Sequence, residues 1–245
     1  EIETTLMQNY SKLSELSIGE IANMCFVSKA SVSRFCRFMG FADFKDLRNQ
    51  LEHDVLKTGL FPHAFVEQLS NDTEGALASY REAILLNIET TISAANIAKL
   101  PAIVDDLHDS GHVAFFSHHF LWDVGRYFQS RLTIMNRPIE LYLDYSSQLA
   151  CAQSLTKSSL AIICSIGGTY PIRYPEIVNA LAASGCRLLA ITQNTSSAYW
   201  NHASCILSCG VTNNIATGKF GALAAIDLIV MEYLRRYGAD SGTGE

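Results

Sequence analysis

Leu16-Ser17-Ile18-Gly19-Glu20-Ile21-Ala22, followed by Val27-Ser28-Lys29-Ala30-Ser31-Val32-Ser33-Arg34-Phe35-Cys36-Arg37-Phe38-Met39-Gly40-Phe41, is the stretch that orders the rest of this chain. Ser17 with Glu20 three residues later has capping-box spacing, in which each side chain satisfies the other residue's orphan backbone N–H. Ile18, Ile21, Ala22 and Cys25 then fall on one face at helical spacing. Phe26-Val27 breaks that pattern. Ser28 is placed to cap a second helix, predicted to run through Met39, with Gly40 where a left-handed C-terminal cap falls. Within it Val32, Phe35, Cys36 and Met39 make an apolar stripe, and the polar residues lie mostly opposite.

Two short helices with a tight joint, the second polar and basic near its start, describe a helix-turn-helix. A helix entering the major groove must present donors to base edges and phosphates. Ser28, Lys29, Ser31, Ser33, Arg34 and Arg37 are therefore the candidate contacts to double-stranded DNA. The wider segment carries Lys29, Arg34, Arg37, Lys45 and Arg48 against only Asp43 and Asp46, a local positive excess in a chain of net charge −6. Phosphate contact depends on such local cations rather than on the overall sum. A two-helix corner with a solvated basic face has the same spacing, so spacing alone leaves that alternative open.

Outward from this segment, 245 residues are enough for two ordinary domains. Nearly half are apolar and about a sixth charged, which excludes wholesale disorder. No apolar run reaches the roughly 18–20 residues of a membrane helix. The opening Glu1-Ile2-Glu3-Thr4-Thr5 lacks a basic, apolar leader and has no Met before it, so it reads as a cut within a longer chain. Cys25, Cys36, Cys151, Cys164, Cys186, Cys205 and Cys209 form no C-x-x-C pair and no dense secreted pattern. Cys205 and Cys209 with His202 lack a further ligand pair. The expectation is a reduced cytoplasmic protein with no metal and no cofactor.

Gly59, Pro62, Ser70 and Asn71 punctuate the chain and predict a linker over residues 59–73. Helical periodicity resumes from Glu74 to Leu100, and Ala102–His108 reads as a further helix. Short apolar runs then alternate with helical patterns, the signature of a parallel sheet with helices on both faces. The predicted strands are His112–Ser117, Ile139–Leu143, Leu160–Ser165, Arg187–Thr192 and Cys205–Ser208. The predicted helices are Leu121–Met135, Tyr145–Cys151, Ile172–Ser184, Ala198–Asn201 and Gly218–Tyr237. In such sheets ligands bind beyond the carboxyl ends of strands. Three loops qualify: Ser117-His118-His119-Phe120, Asp144-Tyr145-Ser146-Ser147 and Ser165-Ile166-Gly167-Gly168-Thr169-Tyr170. In the last, glycines and hydroxyls before a helix suit an anion such as phosphate, although glycine pairs also serve tight turns alone.

The helix-turn-helix stretch, with Phe41-Ala42-Asp43-Phe44-Lys45-Asp46-Leu47 after it, closely resembles the RpiR/MurR family of bacterial regulators. Residues 100–238 resemble the SIS (sugar isomerase) domain usually joined to it, through Ser165-Ile166-Gly167-Gly168, Ala190-Ile191-Thr192 and the terminal Lys219–Tyr237 pattern. The resemblance implies an all-α helix-turn-helix domain (residues 1–58, its first helix shortened) and an α/β SIS domain (74–238), a parallel sheet flanked by helices, followed by a disordered tail (239–245). It further implies a homodimer or homotetramer reading a palindromic operator under control of a phosphorylated sugar or amino sugar. The ligand residues it implies are Ser117, His118, His119, Ser165, Gly167, Gly168 and Thr169. The loops depart from the family: Gly167 replaces a serine, Tyr170 stands where threonine is usual, and His118-His119 replaces a glycine-rich turn. Two other readings stay open, a sugar-phosphate isomerase and a DNA-binding protein whose SIS domain only dimerises.

Overall fold

A computed structural model of the chain describes residues 2, 5–6, 16–38, 41–48, 63–118, 120–195, 200–211 and 215–238. The expected cap at Gly40, His119, most of the expected Ala198–Asn201 helix and the tail lie outside them. Two compact units divide the chain, one of residues 1–77 with 143–146, the other of 78–142 with 147–245.

In the first unit, helices α1 (Ile18–Met24) and α2 (Lys29–Phe38) form where the periodicity predicts them. Both halves of the capping box are made: Glu20 Oε2 accepts from the Ser17 N–H at 2.7 Å, and Ser17 Oγ from the Glu20 N–H at 3.2 Å. The joint turns through Phe26 at φ 53°, left-handed backbone that a bulky residue rarely adopts. Ser28 Oγ accepts from the Ser31 N–H at 3.1 Å and opens α2. Ile21, Val32 and Cys36 are fully buried. They pack with Ala22, Cys25, Phe41, Phe44 and Leu47, the last two from a helical turn at residues 44–48. Full burial of one such aliphatic side chain contributes about 1.5–3 kcal/mol. The small core thus fixes the angle between the helices.

The segment read as a linker is helical from residue 63: α3 (His63–Asn71) is followed by α4 (Thr73–Thr91). The punctuating Gly59 and Pro62 precede α3, and its Phe65-Val66 and Leu69 supply ordinary helix-forming apolar spacing. Asp72 then re-caps the chain, accepting from the Gly75 N–H at 2.9 Å.

The second unit continues through α5 (Ala94–Ile97) and α6 (Leu100–Asp109) into an alternating array. Its elements are β1 (His112–Phe116), α7 (Leu121–Ile134), β2 (Glu140–Leu141), α8 (Tyr145–Ser154), β3 (Ser159–Cys164), α9 (Tyr170–Arg173), α10 (Pro175–Ser184), β4 (Arg187–Thr192), β5 (Cys205–Ser208) and α11 (Ile215–Tyr237). All pairings are parallel, in the order β2-β1-β3-β4-β5. β3 is buried along its whole length, as a central strand covered on both faces must be. One face packs on α6, α7 and α11 through Val104, Leu107, Phe128, Leu132, Ile226 and Ile229. There α11 meets backbone: a Cβ on Gly221 would stand 1.9 Å from the Cys209 carbonyl oxygen.

Three boundaries differ from expectation for identifiable reasons. β2 has two residues because it is an edge strand paired only with β1 and preceded by Pro138, which has no N–H to donate. The helix expected over Ile172–Ser184 is two, α9 and α10. Tyr174 leaves helical geometry (φ −123°, ψ 59°), as residues before a proline tend to do. α11 starts before Gly218, at Ile215.

Candidate functional site

On α2 the side chains divide as the spacing predicts. Val32 and Cys36 face the core, while Ser28, Lys29, Arg34 and Arg37 are exposed and Ser31 and Ser33 half-buried. The serines hold the arginines: Arg34 Nη2 donates to Ser31 Oγ at 3.2 Å and Arg37 Nη2 to Ser33 Oγ at 3.3 Å. Ser31 Oγ also lies 2.9 Å from Ser28 Oγ. Lys29 starts the same helix, its Cε only 3.2 Å from where a Cβ on Gly19 would lie, so Gly19 leaves room for the lysine stem. Five of the six candidate residues thus lie on one short helix, and Ser28 stands immediately before it. Their cationic groups have no carboxylate partner among the ion pairs of the described residues.

In the sheet, the strand order reverses direction between β1 and β3, the topological switch point at which open α/β sheets bind ligands. The loops after those two strands carry the candidate ligand residues. Ser117, directly after β1, is buried, and its Oγ has no hydrogen-bond partner among the described residues. Ser165, directly after β3, is also buried; its Oγ accepts from the Tyr170 N–H at 3.0 Å, leaving the hydroxyl proton free for donation. Gly168 stands at φ 69°, where only glycine is unstrained, and its N–H donates to the Ser165 carbonyl at 3.1 Å. Gly167 is half-buried and accepts from Asn194 Nδ2 at 3.4 Å. Thr169 is exposed and makes no side-chain cap to α9.

Four residues outside the candidate set, Gln148, Tyr170, Arg173 and Tyr174, pack around these strand ends. Tyr170, fully buried, donates its hydroxyl to Gln148 Oε1 at 2.6 Å, and Gln148 Nε2 donates to the Ser117 carbonyl at 3.1 Å. A polar chain therefore joins both strand ends through α8. The His118 ring lies tilted 5.8 Å from that of Tyr170 and edge-on 6.0 Å from that of Tyr174. Arg173 Nε donates to the Tyr174 hydroxyl at 2.9 Å. Gln148 shares the buried face of α8 with Cys151 and Ala152, and a polar residue at that helical spacing was the available signal. The tyrosines read as core from spacing alone.

The seven cysteines are free thiols. Burial, with nearby Asp43, pushes Cys36 up to about 12, and burial does the same to Cys209, so neither is an activated nucleophile.

The chain thus combines a helix-turn-helix with cations on its second helix and a parallel α/β sheet with hydroxyls at its switch point. Residues 1–58 match the family model described as a helix-turn-helix domain, rpiR family. Over its length the chain is 24% identical to an uncharacterised HTH-type transcriptional regulator of Caldanaerobacter subterraneus subsp. tengcongensis, covering 92% of this chain and 78% of that one. Among solved structures it is similar to Vibrio vulnificus NanR complexed with ManNAc-6P, with TM-score 0.58 and 20% identity over 98% of this chain and 88% of that one. The sugar isomerase domain of an RpiR transcription factor from Sphaerobacter thermophilus matches with TM-score 0.55 and 18% identity, over 67% of this chain and 90% of that one. No helix among the described residues is long and apolar enough to cross a membrane.

Proposed function

We propose that this chain is a cytoplasmic, non-enzymatic regulator that binds a palindromic operator as a homodimer or homotetramer. It releases or engages that operator when a phosphorylated sugar or amino sugar occupies the switch point of its sheet. The observation that carries the reading is the buried Ser117 hydroxyl with no partner among the described residues, facing the same strand-end region as Ser165. A buried hydroxyl left unmatched costs about 1–3 kcal/mol, a debt that a phosphate oxygen settles. Gly168 and the residues around it bring backbone close to the same ligand, and His118 stands at the β1 side of it.

The ManNAc-6P bound in the Vibrio vulnificus relative supports an amino-sugar phosphate as the effector class. Ligand control requires unequal affinity for the DNA-competent and DNA-incompetent states. The polar chain Ser117–Gln148–Tyr170–Ser165 supplies an element that a phosphate at the serines would rearrange.

The test is fluorescence anisotropy on DNA upstream of the protein's own operon, titrated with a panel of phosphosugars, for the wild type and Ser117→Ala. Because Ser117 Oγ is buried and makes no hydrogen bond among the described residues, its removal should raise the melting temperature rather than lower it. The effector concentration needed to shift DNA binding should rise about tenfold or more. An unchanged effector response would remove Ser117 from the site, and selective binding that no phosphosugar shifts would leave the sheet a dimerising scaffold.

A further inference from the structure

At the edge of the sheet, away from the switch-point loops, three side chains from three elements converge: His112 at the start of β1, Glu140 in β2 and Cys151 in α8. One donor atom of each lies within 4.8 Å of the others. Glu140 Oε1 is 3.1 Å from His112 Nε2, and Cys151 Sγ donates to Glu140 Oε2 at 3.4 Å. The imidazole contact is not a hydrogen bond. His112 Nε2 is buried and has no hydrogen-bond partner among the described residues, although the carboxylate oxygen is at hydrogen-bonding range. A buried ring nitrogen aimed past a carboxylate rather than at it, beside a thiol, is how ligands of one ion are disposed.

The distances agree with that. Bonds of about 2.0–2.3 Å to a tetrahedral zinc ion set nitrogen, oxygen and sulfur ligands roughly 3.3–3.6 Å apart. The 3.1 and 3.4 Å separations run to different oxygens of Glu140, so its carboxylate would turn, or bind through both oxygens, to share one ion with His112 and Cys151. The mixed sulfur, nitrogen and oxygen set suits a borderline-soft divalent ion and not magnesium or calcium. Cys151 is buried while the histidine and glutamate are half-exposed, so the fourth position opens towards solvent. Tyr142 donates its hydroxyl to Glu140 Oε2 at 3.2 Å, the kind of outer contact that orients a ligating carboxylate.

We infer that His112, Glu140 and Cys151 form a three-ligand site for zinc. The ion would clasp the two-residue edge strand β2 to β1 and to α8. Gln148, on the same helix one turn before Cys151, holds the Ser117 carbonyl and the Tyr170 hydroxyl, so occupancy of the clasp also fixes the helix that spans the ligand loops.

Cobalt(II) titration of the whole, metal-stripped chain tests this independently of any phosphosugar. One equivalent should give a thiolate-to-cobalt charge-transfer band and the intense visible bands of a tetrahedral site, displaced by one equivalent of zinc. Zinc should also raise the melting temperature of the wild type. Cys151→Ser should abolish the charge-transfer band. Glu140→Gln, which keeps the side chain's shape, should keep the fold by circular dichroism and lower zinc affinity by more than the about 10–100-fold typical of an outer-shell change. Absence of tetrahedral bands, or bands that persist unchanged in Cys151→Ser, would overturn the assignment.

Discussion

In α2 the serines and arginines face solvent and satisfy one another, Arg34 on Ser31 and Arg37 on Ser33. At the ends of β1 and β3 the polar residues Ser117, Ser165 and Gln148 are all buried, and Tyr170 closes a hydrogen-bonded chain between them. The first arrangement costs the fold almost nothing and leaves cations free for a large polyanion. In the second, the Gln148, Tyr170 and Ser165 side chains are held by partners while the Ser117 hydroxyl is not, so under the proposed function a small molecule would act by exchanging one bond for another. Reader and sensor thus differ in how much of the fold's stability rests on their working residues.

The sharpest way to break this comparison is Arg34→Ala with Arg37→Ala. Two lost contacts at about 1–3 kcal/mol each should weaken operator binding by at least about 30-fold, with no fall in melting temperature, measured by anisotropy and calorimetry. A substantial loss of stability instead would mean that α2 is an ordinary structural helix. Next in size is Tyr170→Phe, which removes the 2.6 Å hydrogen bond from the Tyr170 hydroxyl to the buried Gln148 Oε1. A destabilisation of about 1–3 kcal/mol is expected, read as a fall in the urea midpoint. No change would show that the buried chain carries no strain-sensitive load.

Phe26→Gly probes the reader alone. Left-handed backbone costs an L-residue about 1–2 kcal/mol, and glycine's extra unfolded-state freedom takes back about 0.5–1, so a gain near 0.5 kcal/mol is expected. A drop in DNA affinity in this variant would assign the 91% exposed Phe26 ring a contact with DNA. The smallest effect is one of pH. Hydrogen bonds from Ser17 hold the Glu20 carboxyl below its ordinary 4.5. Its capping contribution is therefore complete above that pH and fades as the pH falls through the lowered value. Glu20→Gln should flatten this acid limb of the melting curve, with no change at neutral pH.

The reader was legible because its logic is local. Ser17 and Glu20 sit three residues apart; Val32 and Cys36 lie about one helical turn apart on one face, and Arg34 and Arg37 about one turn apart on another. The sheet was legible as alternating runs, and the choice of strand-end loops followed from its parallel order. The residues that complete the ligand loops were not. Gln148, Tyr170 and Tyr174 come from α8, α9 and the turn after it, and only tertiary packing brings them to Ser117. The His112, Glu140 and Cys151 cluster is harder still, since no spacing rule links a strand start, an edge strand and the middle of a helix. The linker reading overreached at residue 63, where a helix begins directly after the punctuating residues.

The parallel sheet also sets a clock for synthesis. His112 pairs with Ser159, so β1 has no central partner until β3 has been made. At roughly 5–20 residues per second the apolar Val113-Ala114-Phe115-Phe116 waits seconds on the ribosome, while the helix-turn-helix, closed by local contacts, has already folded. Slow translation between those strands would lengthen that exposure, and nascent-chain aggregation, rather than loss of DNA binding, is where a poorly timed version of this protein would first fail.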